Sequence, residues 1–165
     1  MNLRRQFGGK PDRRAILDLS YAQAVRALDL QERALEQLRT RAGIVLAASS
    51  VTASFLGAQT IQRSSGLGVL GGLALVSLAV SICASVYVLL PKSDFVFSLN
   101  APRVYETFYG ESADEAQRQL IYWLERYWTQ NQEKADVLGQ YFFAAALALI
   151  AQFVFWSWAL AAKIS

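Results

Sequence analysis

The chain has 165 residues, a formal net charge of +3, one cysteine and no histidine. So small a charge gives no ground for a nucleic-acid polymer as partner. A single cysteine excludes a disulfide within the chain, and the missing histidine removes the commonest acid–base catalyst and metal ligand.

Hydrophobic residues make up 54% and charged ones 18%, and they are segregated. Residues 42–90 carry one charge, Arg63. Apolar blocks of this kind point to a membrane protein rather than to a soluble core.

In chain order, the opening residues MNLRRQFGGKP are basic and glycine-rich. Arg4-Arg5-Gln6-Phe7 is similar to a twin-arginine export signal, but such a signal needs an apolar stretch soon after it. Asp12, Arg13 and Arg14 follow instead, so the segment reads as a basic cytoplasmic tail.

A helix is predicted over residues 12–41, opened by Pro11 and free of Gly and Pro until Gly43. Leu17, Tyr21, Ala24, Leu28, Gln31, Leu35 and Leu38 are spaced alternately four and three apart. This is a heptad seam with one polar break. Its partner is either another helix of the same chain or a second copy.

The helix is expected to run without a break into a first membrane span, residues 42–58. There Gly43, Ala47, Ser50, Ser54 and Gly57 form a small-residue face suited to close helix packing. A short loop, residues 59–65, leads to the most decisive stretch, residues 66–90. Those 25 residues are without charge and are closed by Pro91 and Lys92. About 20 apolar residues cross a bilayer, so this is a second span.

Residues 91–140 form a second polar segment. Phe95, Phe97 and Leu99 alternate, as in a short extended piece. Asn100-Ala101-Pro102 opens a short helix with Tyr105, Phe108 and Tyr109 on or near its apolar side, and Gly110 stops it. Ser112 and Glu115 form a capping box, so a new helix starts at residue 112. It feeds a third span, residues 141–162, flanked by Tyr141, Phe142 and Phe143 at one end and Trp156 and Trp158 at the other. Gly139 is a candidate bend at the entrance.

The predicted fold class is therefore an all-α membrane protein, a single membrane domain of three transmembrane helices with long N-terminal and central cytoplasmic helices. Orientation follows from basic residues. Nine precede the first span and five lie between the second and third, against one in residues 59–65 and one after the third span. The positive-inside rule puts the N-terminus in the cytoplasm and the C-terminus outside.

Chemistry is sparse. There is no metal-ligand cluster, no phosphate-binding loop of the G-x-x-x-x-G-K-[ST] type and no histidine to activate a serine, so neither an enzyme nor a cofactor is expected. Within the spans, Ser50, Ser77 and Gln152 stand near mid-depth. An unsatisfied polar group in hydrocarbon costs several kcal/mol. These residues are therefore either a hydrogen-bonded lock between helices or, for Gln152, a ring lining an oligomeric pore. Outside the spans, Arg39, Arg41, Arg118 and Arg126 are either topology anchors or the forks of an anion pocket. Trp123 and Tyr127 are available to stack on a base.

The run Leu38-Arg39-Thr40-Arg41-Ala42-Gly43-Ile44-Val45-Leu46-Ala47 resembles the basic-Ala-Gly junction of small prokaryotic membrane effectors. These are the Pycsar transmembrane effectors and the related SLATT-type proteins of nucleotide-signalled antiphage defence. The layout is similar too: a helical hairpin, a proline-ended second span, the segment Phe95-Val96-Phe97-Ser98-Leu99, and a helix feeding a last span. Where the family pattern has Lys before Ala-Gly, this chain has Arg41, which keeps the charge.

The resemblance implies a multi-pass protein of the bacterial inner membrane. It would sense a cyclic nucleotide from a neighbouring cyclase, form a homo-oligomer and disrupt membrane integrity. The competing expectations are a structural membrane scaffold that uses a cytoplasmic coiled coil, and a small channel subunit.

Overall fold

A computed structural model of the protein describes residues 12–62, 68–91 and 94–162. The basic opening residues, with Arg4, Arg5 and Pro11, lie outside them, as does Arg63. The described residues are all-helical, with no strand among them.

Helix α1 spans Arg13–Thr52. Asp12 caps it: its Oδ1 accepts from the Arg14 backbone N–H at 3.1 Å. The helix crosses the Arg41–Ala42 junction unbroken, as expected. A π-turn, Ala53–Gly57, follows directly, and then α2, Ala58–Gln62. The predicted loop is therefore partly wrong, because Gln59, Thr60, Ile61 and Gln62 are still helical. They carry no Gly or Pro to stop the helix, and the change in polarity at Gln59 does not by itself unwind backbone.

Helix α3 spans Val69–Leu89. At about 1.5 Å per residue it is as long as a bilayer's hydrocarbon is thick, about 30 Å. Helix α4, Ala101–Phe108, has Pro102 in its first turn and ends before Gly110, whose φ of +96° needs glycine. Helix α5 spans Ala113–Ala161. Ser112 caps it, its Oγ accepting from the Glu115 N–H at 3.3 Å. It runs through Gly139 without interruption.

Three helical runs, Arg13–Thr60, Val69–Leu89 and Ala113–Ala161, are long and apolar enough to cross a membrane.

The chain divides into two compact units. The first takes residues up to Arg33 together with Asp94–Gln132; the second takes Ala34–Ser93 and Glu133–Ser165.

In the first unit the heptad seam is the buried face of α1. Leu28 and Gln31 are buried, and Leu17, Tyr21 and Ala24 are half-buried. Gln31, the polar break, donates from Nε2 to the Trp128 carbonyl and to Gln132 Oε1, both at 3.2 Å. The seam's partner here is thus α5 of the same chain. Leu124 and Asn131 are the buried α5 positions.

In the second unit the same period holds on all three long helices. On α1, Leu35, Ala42 and Ser49 are buried; on α3, Ala74, Ser81 and Val88; on α5, Leu138, Ala145, Gln152 and Ala159. Each set is spaced seven residues apart. A sustained seven-residue period is the signature of knobs-into-holes packing with a left-handed twist. Six of these ten inward residues are Ala or Ser, small enough to let helices approach closely.

The next inward position after Ser49 is Gly57, a step of eight. The π-turn supplies the extra residue. It carries Leu56 past the inward position and sets Gly57 against Trp156, whose Cζ2 is 3.4 Å from where a Gly57 Cβ would be.

The expected small-residue face is not the packed one. Of its members only Gly57 is buried; Gly43 is half-buried and Ala47, Ser50 and Ser54 are exposed, while Ala42 and Ser49 are the buried positions before the π-turn. The physical reason is phase. The heptad seam of residues 28 and 35 continues to residues 42 and 49, and the predicted stripe lies one residue off it.

Candidate functional site

Two groupings of polar residues stand out, one in each unit.

The first begins with α4. Phe108, its one buried residue, packs on Trp123 of α5 with ring centroids 5.3 Å apart. This contact holds α4 against α5, while Tyr105 and Tyr109 remain exposed against each other. The segment before α4 is fixed by Asn131, which is 1% exposed. Its Oδ1 accepts from the Val96 N–H at 3.2 Å and its Nδ2 donates to the Val96 carbonyl at 2.8 Å. One amide thus satisfies both backbone groups of a residue in irregular chain, as a neighbouring strand would. Phe95 and Phe97 stack on each other beside it, 5.6 Å apart and nearly parallel.

The result is a concavity of about 330 Å³ lined by Arg103 of α4 and Trp123, Arg126, Tyr127 and Gln130 of α5. It holds two guanidinium groups and two aromatic rings, with an amide at its side. Trp123, Arg126 and Tyr127 are three of the predicted ligand residues, brought together because they lie one turn or less apart on α5. Arg103 and Gln130 were not foreseen. Arg103 becomes visible only when Phe108 is known to dock α4 on Trp123.

The other predicted arginines stand elsewhere. Arg118 pairs with Glu115 at 2.7 Å and lines a different opening with Arg13 and Asp114. Arg41 is exposed on α1. Arg39 is half-buried, and its Nε is buried without a hydrogen-bond partner among the described residues. Neither Arg39 nor Arg41 lines the concavity.

The second grouping is the core of the membrane-competent unit. Ser49 and Ser81 hydroxyls are 2.7 Å apart, and Ser81 Oγ donates to the Ala145 carbonyl at 3.2 Å. Gln152 Nε2 donates to the Ser49 carbonyl at 2.9 Å. Three helices are joined through four residues. Of the three residues predicted for a lock, only Gln152 takes part. Ser50 and Ser77 donate to carbonyls of their own helices, Leu46 and Leu73, at 3.0 Å each. The bonded serines are Ser49 and Ser81, which lie on the heptad phase, whereas the span limits alone point to Ser50 and Ser77. Gln152 is fully buried, and its bond to the Ser49 carbonyl joins α5 to α1.

Among the described residues no group of His, Cys, Asp and Glu side chains forms a metal-binding cluster. Compared with protein-family models, with curated proteins and with solved structures, the chain gives no significant match to any.

Proposed function

We propose that this chain is a membrane effector of nucleotide-signalled antiphage defence, which binds a cyclic nucleotide and then breaches the inner membrane as a homo-oligomer. The observation that carries the reading is the concavity of Arg103, Trp123, Arg126, Tyr127 and Gln130. A cyclic mononucleotide presents one phosphate negative charge and one flat base. Two arginine forks answer the first and a Trp–Tyr pair the second. Gln130 adds a donor and an acceptor for a base edge.

The helices long enough to cross a bilayer supply the output. The distribution of basic residues favours a cytoplasmic N-terminus, with the concavity on the side where a cyclase product would reach it. In this reading the protein does no bond-making chemistry; its work is a change in assembly driven by differential affinity for ligand.

Calorimetry on detergent-solubilised protein tests it, using cyclic pyrimidine and purine mononucleotides in turn. Saturable heat from one of them is expected, with affinity reduced in Arg126→Ala. No heat from any of them in the wild-type protein would overturn the ligand assignment and leave the scaffold reading ahead.

A further inference from the structure

The core of the second unit holds polar atoms that its own hydrogen bonds do not account for. Gln152 is 0% exposed and Trp156 is 1% exposed. Gln152 Nε2 is committed to Ser49, but Gln152 Oε1 has no partner among the described residues, and neither has Trp156 Nε1. The two atoms are of opposite kind. An amide oxygen only accepts and an indole N–H only donates. They sit on residues four apart on α5, hence on one face, one turn from each other.

The six-membered ring of the indole is the part turned to the π-turn. Trp156 Cζ2, Cη2 and Cε2 approach the Gly57 Cβ position to 3.4, 3.6 and 3.9 Å. A π-turn widens the helix and loosens its ordinary i→i+4 carbonyl pairing, and such turns are frequent at functional sites.

We infer that Gln152 and Trp156 form a binding site for a single buried water. The water accepts from Trp156 Nε1–H and donates to Gln152 Oε1. A buried water needs two to four polar partners, and this site offers that many. Leaving both atoms bare would cost several kcal/mol in a hydrocarbon surround. The two side chains do not bond to each other, and the amide nitrogen of Gln152 is committed to Ser49. The inference rests on the core geometry and not on the nucleotide reading.

Radiolytic footprinting tests it. Brief X-ray irradiation makes hydroxyl radicals from water in place, so a buried side chain is oxidised only where a water touches it. In wild-type protein in bilayers, Trp156 is expected to be oxidised despite its burial. Gln152→Met, which keeps the volume and loses the acceptor, is expected to lower that labelling by about tenfold. Unlabelled Trp156 in the wild type would overturn the site. Unchanged labelling in Gln152→Met would overturn the role of Gln152.

Should that variant fail to insert, magnetic resonance on the wild type decides the matter, with Trp156→Phe used only to assign the indole signal. Magnetisation transfer from water to the Trp156 N–H supports the site, and its absence overturns it.

Discussion

Ser49 donates its hydroxyl proton to Ser81 Oγ across 2.7 Å. The direction follows from counting protons. Ser81 has one, and it is spent on the Ala145 carbonyl at 3.2 Å. Ser81 is therefore the hub of the membrane-competent unit, accepting from α1 and donating to α5. Ser81→Ala removes both bonds and strands the Ser49 hydroxyl. The expected cost is about 1–3 kcal/mol, since measured interhelical hydrogen bonds in membranes average well under 2 and an orphaned group adds to that. Ser50→Ala and Ser77→Ala, whose hydroxyls bond within their own helices, should cost within about 0.5 kcal/mol. Thermal denaturation in a common detergent, the three variants side by side, checks the ranking.

Much of this arrangement was legible in the sequence. The seam of Leu28, Gln31 and Leu35 gave the buried face of α1, and the uncharged stretches gave the helices long enough to cross a bilayer. What stayed hidden was phase. The small residues Ala47, Ser50 and Ser54 and the buried positions Ala42 and Ser49 differ by a single step of helical rotation. Composition is the same on both sides of that step. Carrying the heptad of residues 28 and 35 forward into the span would have selected Ser49. The concavity was half legible: Trp123, Arg126 and Tyr127 are neighbours on one helix. Arg103 joins them through a tertiary contact, Phe108 on Trp123, which no spacing announces.

Leu28 is 2% exposed within the first unit. Leu28→Asp places an unpaired charge there and should unfold that unit, at a cost above about 3 kcal/mol. Gln31→Leu keeps the seam apolar but leaves the Trp128 carbonyl without its side-chain donor. A smaller loss, about 1 kcal/mol, is expected. Limited proteolysis of the solubilised protein separates the two, with rapid cleavage only in the Leu28 variant.

The ligand reading separates the arginines. Arg126→Ala should weaken nucleotide binding by about ten- to hundredfold, the range for one charge-assisted contact. Trp123→Ala should weaken it comparably through lost stacking, and should also loosen α4, because Phe108 rests on the same ring. Arg41→Ala should leave affinity unchanged, since Arg41 does not line the concavity. Titration of the three variants by calorimetry, each with a circular dichroism control, measures this.

Topology is open to a direct assay. With fourteen basic residues in the two segments assigned to the cytoplasm and two in the others, a reporter fused after Ser165 should be active only outside the cytoplasm. Cytoplasmic activity of that fusion would remove the three-span arrangement.

The π-turn at Ala53–Gly57 makes the first membrane-competent helical run tolerant of shortening near the turn. Its wide turn stores one surplus residue between Ser49 and Gly57. Deleting Val51 returns that interval to seven, so the helix recovers ordinary α pairing while Ser49 and Gly57 both keep their inward stations. Deleting Val45 instead shortens the interval between Ala42 and Ser49 to six. Every later residue then turns about 100° against the bundle, and Ser49 loses Ser81. Two single-residue deletions, six positions apart on one helix, should thus have opposite consequences for insertion and folding.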